Sequence, residues 1–319
     1  MNTLPDLHGW LPVSINRQTM DPIIDWCRLG GRRFTDPFFD HTLQKAMREP
    51  FNLLFRHQTP LDALLEWQAL SPGLQPSGFI FHMSRCGSTL VSQMLAALPE
   101  HIVLSEPPPL DAILRTDLRG TSDEQRTAWL RAWMSGISQP RFDEQRLYVK
   151  LDAWHTFDLA LLRRAFPDTP WIFLYRRPVE VMVSAVKAPG MHLVPNLIDI
   201  NVASIKPEEA MHMSQAEYIA RVLAELLRAA LEHIGPLGGK ALDYSKLPEA
   251  VFTDIAPHFN LALTDEQIAA MKAKTPFHAK TPQMFFEADT ETKRQEATDE
   301  MRELCAEHLD PLYARLQQL

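Results

Sequence analysis

FIFHMSRCGSTLVSQMLAAL, residues 79 to 98, is the stretch whose reading decides the architecture of this 319-residue chain. Its opening, Phe79–Met83, is a compact apolar run of strand length. SRCGST follows, and then Leu90, Met94 and Leu98 recur at the spacing of one helix face. Strand, tight turn and helix in that order make a βα unit. The first turn of such a helix offers free backbone N–H groups and the positive end of the helix dipole, and Gly87 lets the chain bend closely around an anion. Ser88 and Thr89 add hydroxyl donors, and Arg85 adds a permanently charged guanidinium. Residues 85 to 89, including Cys86, are therefore the first candidate anion site.

Working outward, the turn-forming SPGLQPSG precedes this unit, and Ile102–Leu104, Leu147–Leu151, Trp171–Tyr175 and Lys240–Tyr244 read as further short buried strands. Helical patterns alternate with them, and residues 214 to 234 carry Ile219, Leu223, Leu226, Leu227, Ala230 and Ile234 on one face, ended by a Gly-Pro-Leu-Gly-Gly turn. The expected fold class is α/β: a central parallel sheet flanked by helices, P-loop nucleotide-binding-like, with a helical amino-terminal extension. We divide the chain into residues 1–75, the extension packed on the core, and residues 76–319, the α/β domain. Within the extension, helical patterns surround Pro22–Leu29 and Leu61–Leu70, with the extended-looking RRFTDPFFD between them. Asp21-Pro22 and Asp36-Pro37 suit helix starts, Asp as cap and Pro at the first helical position. Pro276 to Asp289 reads as an ordered irregular loop.

Composition excludes several classes. Hydrophobic residues make up 45% and charged residues 23%, the usage of ordinary globular proteins. A net charge of −8 speaks against a broad footprint for nucleic acid, so any anion site is local. Cys27, Cys86 and Cys305 are odd in number and far apart, with no CxxC, which fits a reducing cytoplasm and no structural zinc. MNTLPDLHGW has neither a basic nor an apolar leader region. No apolar run approaches the roughly 20 residues of a membrane span, so a cytoplasmic protein is expected.

A second anion site stands in FLYRRPVEVMVSAV. Arg176 ends a buried strand, Pro178 opens a helix, and Ser184 follows Arg176 by eight residues. A strand-end Arg and a helical Ser two turns on can grip one phosphate from two sides. Val181, Val183 and Val186 keep that helix on the sheet. The nucleoside-triphosphate loop GxxxxGK[ST] needs Lys directly after its last Gly, and Ser88 stands there instead. Kinase or GTPase chemistry is thus disfavoured. A nucleophilic Cys86 of the phosphatase type would need Arg after Cys, as in C-x(5)-R, and here Arg85 precedes it.

Together the two motifs resemble the sulfotransferase family that uses 3′-phosphoadenosine 5′-phosphosulfate (PAPS). The family's loop K/R-S-G-[ST]-T is similar to Arg85-Cys86-Gly87-Ser88-Thr89, implying that these residues bind the 5′-phosphosulfate. Its R-x-P-x(5)-S element is similar to Arg176, Pro178 and Ser184, implying contact with the 3′-phosphate. ALDYSKL resembles the family's YEDL element, which places Tyr244 near the adenine. FHAKTPQMFFEADTETKR stands where the family folds a basic loop over the 3′-phosphate, making Lys280 the candidate there. The likeness spans roughly residues 78 to 290, with its specific motifs in the first half. Cys86 replaces the commoner Ser, and Leu90 stands where cytosolic members often carry Trp.

Sulfuryl transfer needs an in-line acceptor, a base for its proton and positive charge over the leaving phosphate. Arg85 fits the last role, and Lys150 resembles the strand Lys that family members place beside the sulfate. Glu106, in LSEPPPLD, follows the loop helix where several members carry an acidic base, and Asp152 occupies the place of a His base in cytosolic members. We prefer Glu106, with its pKa raised by burial and its backbone held by the prolines behind it, while Asp152 and His155 stay open. The segment between Ser184 and the long helix is too long for a connector. It reads as an acceptor lid with Met191, His192 and Met211 as an adaptable wall. The reading implied is a PAPS-dependent sulfotransferase, without metal, acting on a hydroxyl or amine of a small-molecule or peptide acceptor. No nucleic acid and no membrane span take part, and a homodimer is compatible with it. A non-catalytic nucleotide-binding protein of the same fold and a divergent P-loop kinase are the alternatives.

Overall fold

The computed structural model of the protein describes residues 5–16, 22–115, 120–198, 205–235, 238–285 and 290–319. Its first part follows a period of two, not the helical one. Ile24 and Trp26 are buried while Ile23 and Asp25 are half-buried, an alternation that extended backbone satisfies. Leu11–Asn16 (β1), Ile23–Cys27 (β2) and His57–Pro60 (β3) accordingly pair as an antiparallel sheet. This corrects the helix expected around Pro22–Leu29, and with it the purely helical extension. Helices accompany the sheet at Phe39–Met47 (α1), at the short Pro50–Leu54 and at Ala63–Leu70 (α2), the last of which matches the pattern over Leu61–Leu70. Asp36 does not cap α1. Phe38 takes the extended cap position, and the Asp36 carboxylate accepts instead from Thr42 Oγ1 at 2.8 Å, beside Lys45. Asp21 lies outside the described residues.

The main sheet consists of Pro76–His82 (β4), His101–Ser105 (β5), Arg146–Lys150 (β6), Trp171–Tyr175 (β7) and Gly239–Asp243 (β8). All its pairings are parallel, in the order β5-β6-β4-β7-β8. Helices cover it, so its interior strands are largely apolar; every residue of β7 is buried. The helices that position the site are Ser88–Ala96 (α3), Pro108–Leu114 (α4), Asp123–Ile137 (α5), Leu159–Ala165 (α6), Pro178–Lys187 (α7), Gln215–His233 (α8) and Thr290–Glu296 (α9). The connection through α3 carries the chain from β4 past β6 to β5, whereas the connection after β6 crosses to β7 on the other side of β4. Where successive connections diverge, a crevice opens at the carboxyl ends of the strands, the usual place for ligands in such sheets. Pairings Ser105 with Lys150, Ile80 with Lys150, His82 with Leu174 and Tyr175 with Asp243 bring the five carboxyl ends to one edge.

The two sheets share one apolar core that runs from Leu11 and Trp26 through Trp133 to the β4–β7 strands. Helix α5 is the joint between them. Trp133 Nε1 donates to Pro12 O at 3.0 Å and Trp129 Nε1 to Asp62 Oδ1 at 2.7 Å. Helix α8 begins with Ser214 accepting from Glu217 N–H and buries its apolar face as its spacing predicts; residues 236 and 237 of the turn that follows lie outside the described set. The segment from Pro276 is more regular than expected. Phe277–His278 (β9) and Thr281–Phe285 (β10) pair antiparallel, closed by stacked Phe277 and Phe285 rings 5.4 Å apart, while residues 286–289 are outside the description. Among the described residues no helix is long and apolar enough to cross a membrane.

Candidate active site

The turn after β4 is held in a conformation few residues adopt. Ser84 and Arg85 have φ of +77° and +53°, and Gly87 has +82°. Non-glycine residues in this region are strained and concentrate where a loop must present its backbone to a ligand. At Gly87 a side chain is excluded twice, because a Cβ would also stand 2.7 Å from Leu247 Cδ1 and 2.9 Å from Tyr244 Cδ2. Gly87 is itself the cap of α3, so Ser88 and Thr89 lie in the first helical turn, both buried beside the turn. Cys86 turns inward: its thiol donates to Leu174 O at 3.1 Å, and burial pushes its pKa up to about 12. That makes it inert as a nucleophile. His82 Nδ1 accepts from Ser84 N–H at 3.0 Å while Nε2 faces Leu151 O at 3.0 Å, which puts the ring proton on Nε2. Burial lowers the His82 pKa against the pull of Glu106, so the ring is neutral.

A cavity of about 740 Å³ opens above this turn. Every strand of the main sheet ends beside it: β4 at His82, β5 before Glu106, β6 at Lys150 and Asp152, β7 before Arg176, β8 before Tyr244. Arg85, Arg176, Lys187, Lys280 and Lys293 line it. Burial, reinforced by repulsion from Arg85 and Lys150, lowers the Lys280 pKa, as expected of cations gathered on one void. Arg176, only 4% exposed, lies 4.1 Å above the Tyr244 ring. It pairs with Glu180 at 2.7 Å and donates to Thr290 Oγ1 at 3.2 Å. Glu180 also takes Arg294, which fastens α9 to α7. Ser184 lines the same cavity, its hydroxyl donating to Glu180 O at 3.0 Å in the preceding turn. The structure thus brings residues 85 to 89, Arg176, Ser184, Tyr244 and Lys280 to one void. Arg85 itself reaches across to Ala188 O.

The candidate acid–base groups form a chain beneath the cavity. Lys150 is 0% exposed, its ammonium 2.8 Å from Glu106 Oε1 and 3.4 Å from Thr89 Oγ1. For Glu106, burial opposes ionisation, but the Lys150 ammonium and the His82 ring outweigh it and hold the carboxyl well below the usual range. This corrects the expectation of a raised pKa at Glu106, because a sequence does not show that a cation shares the burial. Asp152 is the reverse case. At 8% exposure, burial pushes its pKa up to about 7, with Glu106 and Asp111 adding to the rise and His155 and Lys150 opposing it. His155 is wholly enclosed and does not line the cavity; its Nδ1 accepts from Asp152 N–H at 3.2 Å and its Nε2 meets Asp111 Oδ1 at 2.9 Å. It therefore steadies the segment after β6.

Several cavity residues were not singled out from the sequence, Lys187 and Lys293 among them, together with Phe38, Trp154 and His82. Phe38, from the extension, lies over the ammonium groups of Lys150 at 4.8 Å and Lys280 at 5.8 Å; nothing in DPFFD announces this. Trp154 is held by Asp111 at 2.7 Å from Nε1, and His82 closes β4. Of the expected acceptor wall, Met191 and His192 line the cavity, whereas Met211 is exposed and does not, and residues 199–204 of that segment lie outside the described set. The described residues hold no group of three His, Cys, Asp or Glu placed to bind a metal.

A profile described as the sulfotransferase family matches residues 76–265, more than half of the chain. Among solved structures, the chain is similar to a sulfotransferase from Alicyclobacillus acidocaldarius at 18% identity and a TM-score of 0.45, over 76% of this chain and 95% of that one. It is similar to sulfotransferase STF9 from Mycobacterium avium at 16% identity and 0.46, over 79% and 81%. A sulfotransferase domain from the Synechococcus PCC 7002 olefin synthase gives 17% identity and 0.41, over 77% and 94%. No curated protein sequence matches the chain.

Proposed function

The chain belongs to the sulfotransferase family, and from that premise we propose that its cavity takes PAPS and that the enzyme moves the sulfuryl group to a hydroxyl or amine of a small-molecule acceptor. The observation that carries this reading is the convergence of Arg85, Arg176, Lys187 and Lys280 on one void, with Lys150 buried beneath Thr89 of its wall, in a chain of net charge −8. Cations that repel one another across a buried space are complemented by a ligand with anionic groups at more than one end. The residues fit such a ligand: the turn before the helix, left-handed at Ser84, Arg85 and Gly87, lines the cavity at the helix amino end, and the absent side chain at Gly87 leaves Tyr244 in contact with that turn.

PAPS supplies an activated sulfuryl group on a phosphate leaving group, with the 3′-phosphate as a second handle. The backbone of residues 86–89 with the Ser88 and Thr89 hydroxyls holds the 5′ end, and Arg176, Ser184 and Lys280 hold the 3′-phosphate beside the Tyr244 ring. Lys150, kept under Thr89 by Glu106, and Arg85 stabilise the charge left on the departing phosphate. Asp152 takes the acceptor proton, since a base is most effective with its pKa near the working pH, and about 7 meets that condition. Glu106, ionised and ion-paired, serves as the anchor of Lys150 and not as the base.

Calorimetry with 3′-phosphoadenosine 5′-phosphate against ATP tests the ligand class. The bisphosphate binds and ATP binds far more weakly; equal binding of the two would sink the two-anion reading. Arg85→Ala and Arg176→Ala each weaken the bisphosphate by about 2–5 kcal/mol, the loss typical of a buried charged contact, and unchanged affinity in both removes the assignment.

A further inference from the structure

Among the described residues, His192 is the cavity residue whose buried side-chain nitrogens are both left without a hydrogen-bond partner. It sits in the short turn Met191–Leu193, is 4% exposed, and lines the cavity, yet neither Nδ1 nor Nε2 has a hydrogen-bond partner among the described residues. Its ring leans on the Trp154 indole, centroids 5.4 Å apart. Burial, reinforced by the Arg85 charge, pushes its pKa down to about 3, so the imidazole is neutral. The contrast with His82 and His155 is sharp, since both nitrogens of each are matched within the protein. A buried polar group left unpaired is costly and rare in a folded chain.

A neutral imidazole presents one donor and one acceptor. In the same cavity, Phe38, Trp154 and Met191 are apolar, and Asp152 and Glu106 are buried carboxylates. We infer that His192 is the recognition residue for the acceptor, engaging a hydroxyl carried on a flat apolar skeleton and turning it toward Asp152. A hydroxyl matches an imidazole in either tautomer because it both donates and accepts, and a flat skeleton suits a cavity lined by the Phe38 and Trp154 rings. The inference rests on the reading of this cavity as the transfer site.

The experiment uses the full chain, with 2-naphthol as the hydroxyl probe and naphthalene as its hydroxyl-free control. Wild-type protein binds 2-naphthol about fivefold to tenfold more tightly than naphthalene, the worth of one hydrogen bond in a dry site, and His192→Phe binds the two alike. Because His192→Phe also removes an unpaired polar group, it raises the midpoint of thermal unfolding of the free protein by about 2–4 °C; His192→Gln keeps part of the hydroxyl preference. An unchanged preference in His192→Phe, a lowered unfolding midpoint, or no binding of 2-naphthol to the wild type each overturns the inference. Binding of 3′-phosphoadenosine 5′-phosphate, measured on the same samples, separates the two readings: its failure removes the transfer site itself, whereas its success with any of those results removes only the role of His192.

Discussion

At the scale of single residues, two buried carboxylates in one wall have opposite properties because only one of them has a cation at hydrogen-bonding distance. Lys150 holds Glu106 ionised, whereas burial dominates at Asp152. The catalytic consequence is a pH profile. With Asp152 as base, kcat/KM rises as pH passes upward through about 7; Asp152→Asn removes that limb and lowers kcat by about 10²–10⁴. Glu106→Gln keeps the limb. A limb that survives in Asp152→Asn and vanishes in Glu106→Gln transfers the role to Glu106. The same group affects stability. A carboxyl raised in the folded state binds more protons there than when unfolded, so its contribution is present at low pH and lost as pH rises through about 7. Between pH 5 and 8 the urea-unfolding free energy of Asp152→Asn therefore falls less than that of the wild type, by roughly 2–4 kcal/mol.

At the scale of elements, the strand, turn and helix of residues 76–96 depend on one missing side chain. Gly87→Ala adds a Cβ at positive φ and within 3 Å of Tyr244 and Leu247. Relieving that contact displaces β8's end from the turn. A loss of about 1–3 kcal/mol in stability, with weakened bisphosphate binding, is expected by denaturation and calorimetry; wild-type behaviour in both shows that the turn does not need this geometry. This unit was legible in the sequence because its signals are local: an apolar run, a glycine and a helical repeat within twenty residues. Ile23–Cys27 was not. Its Ile-Ile-Asp-Trp-Cys alternation is too short to separate from helical spacing, and what makes it a strand is the presence of β1 and β3 on either side.

At the scale of the whole molecule, we propose that residues 1–75 and 76–319 are an architectural division and not two folding units. The Trp133 to Pro12 bond, the Arg33 bond to Leu98 O at 2.7 Å and the shared apolar core join them. The full chain accordingly unfolds in one transition, coincident by far-ultraviolet circular dichroism and tryptophan fluorescence; two separated transitions refute this. Phe38 gives the joint a functional side, since the extension lays that ring over Lys150 and Lys280.

The sequence by itself determined the βα core and the two local motifs, Arg85–Thr89 and Arg176 with Ser184, because the residues of each lie within one or two turns of one another and their arrangement depends on local spacing. Tertiary structure decided what depends on neighbours distant in the chain. Lys150 and Glu106 are 44 residues apart, and Phe38 reaches both Lys150 and Lys280. The protonation of Glu106, Asp152 and His192 follows from which charges share their burial, and burial is fixed only when the carboxyl ends of five strands meet at one edge.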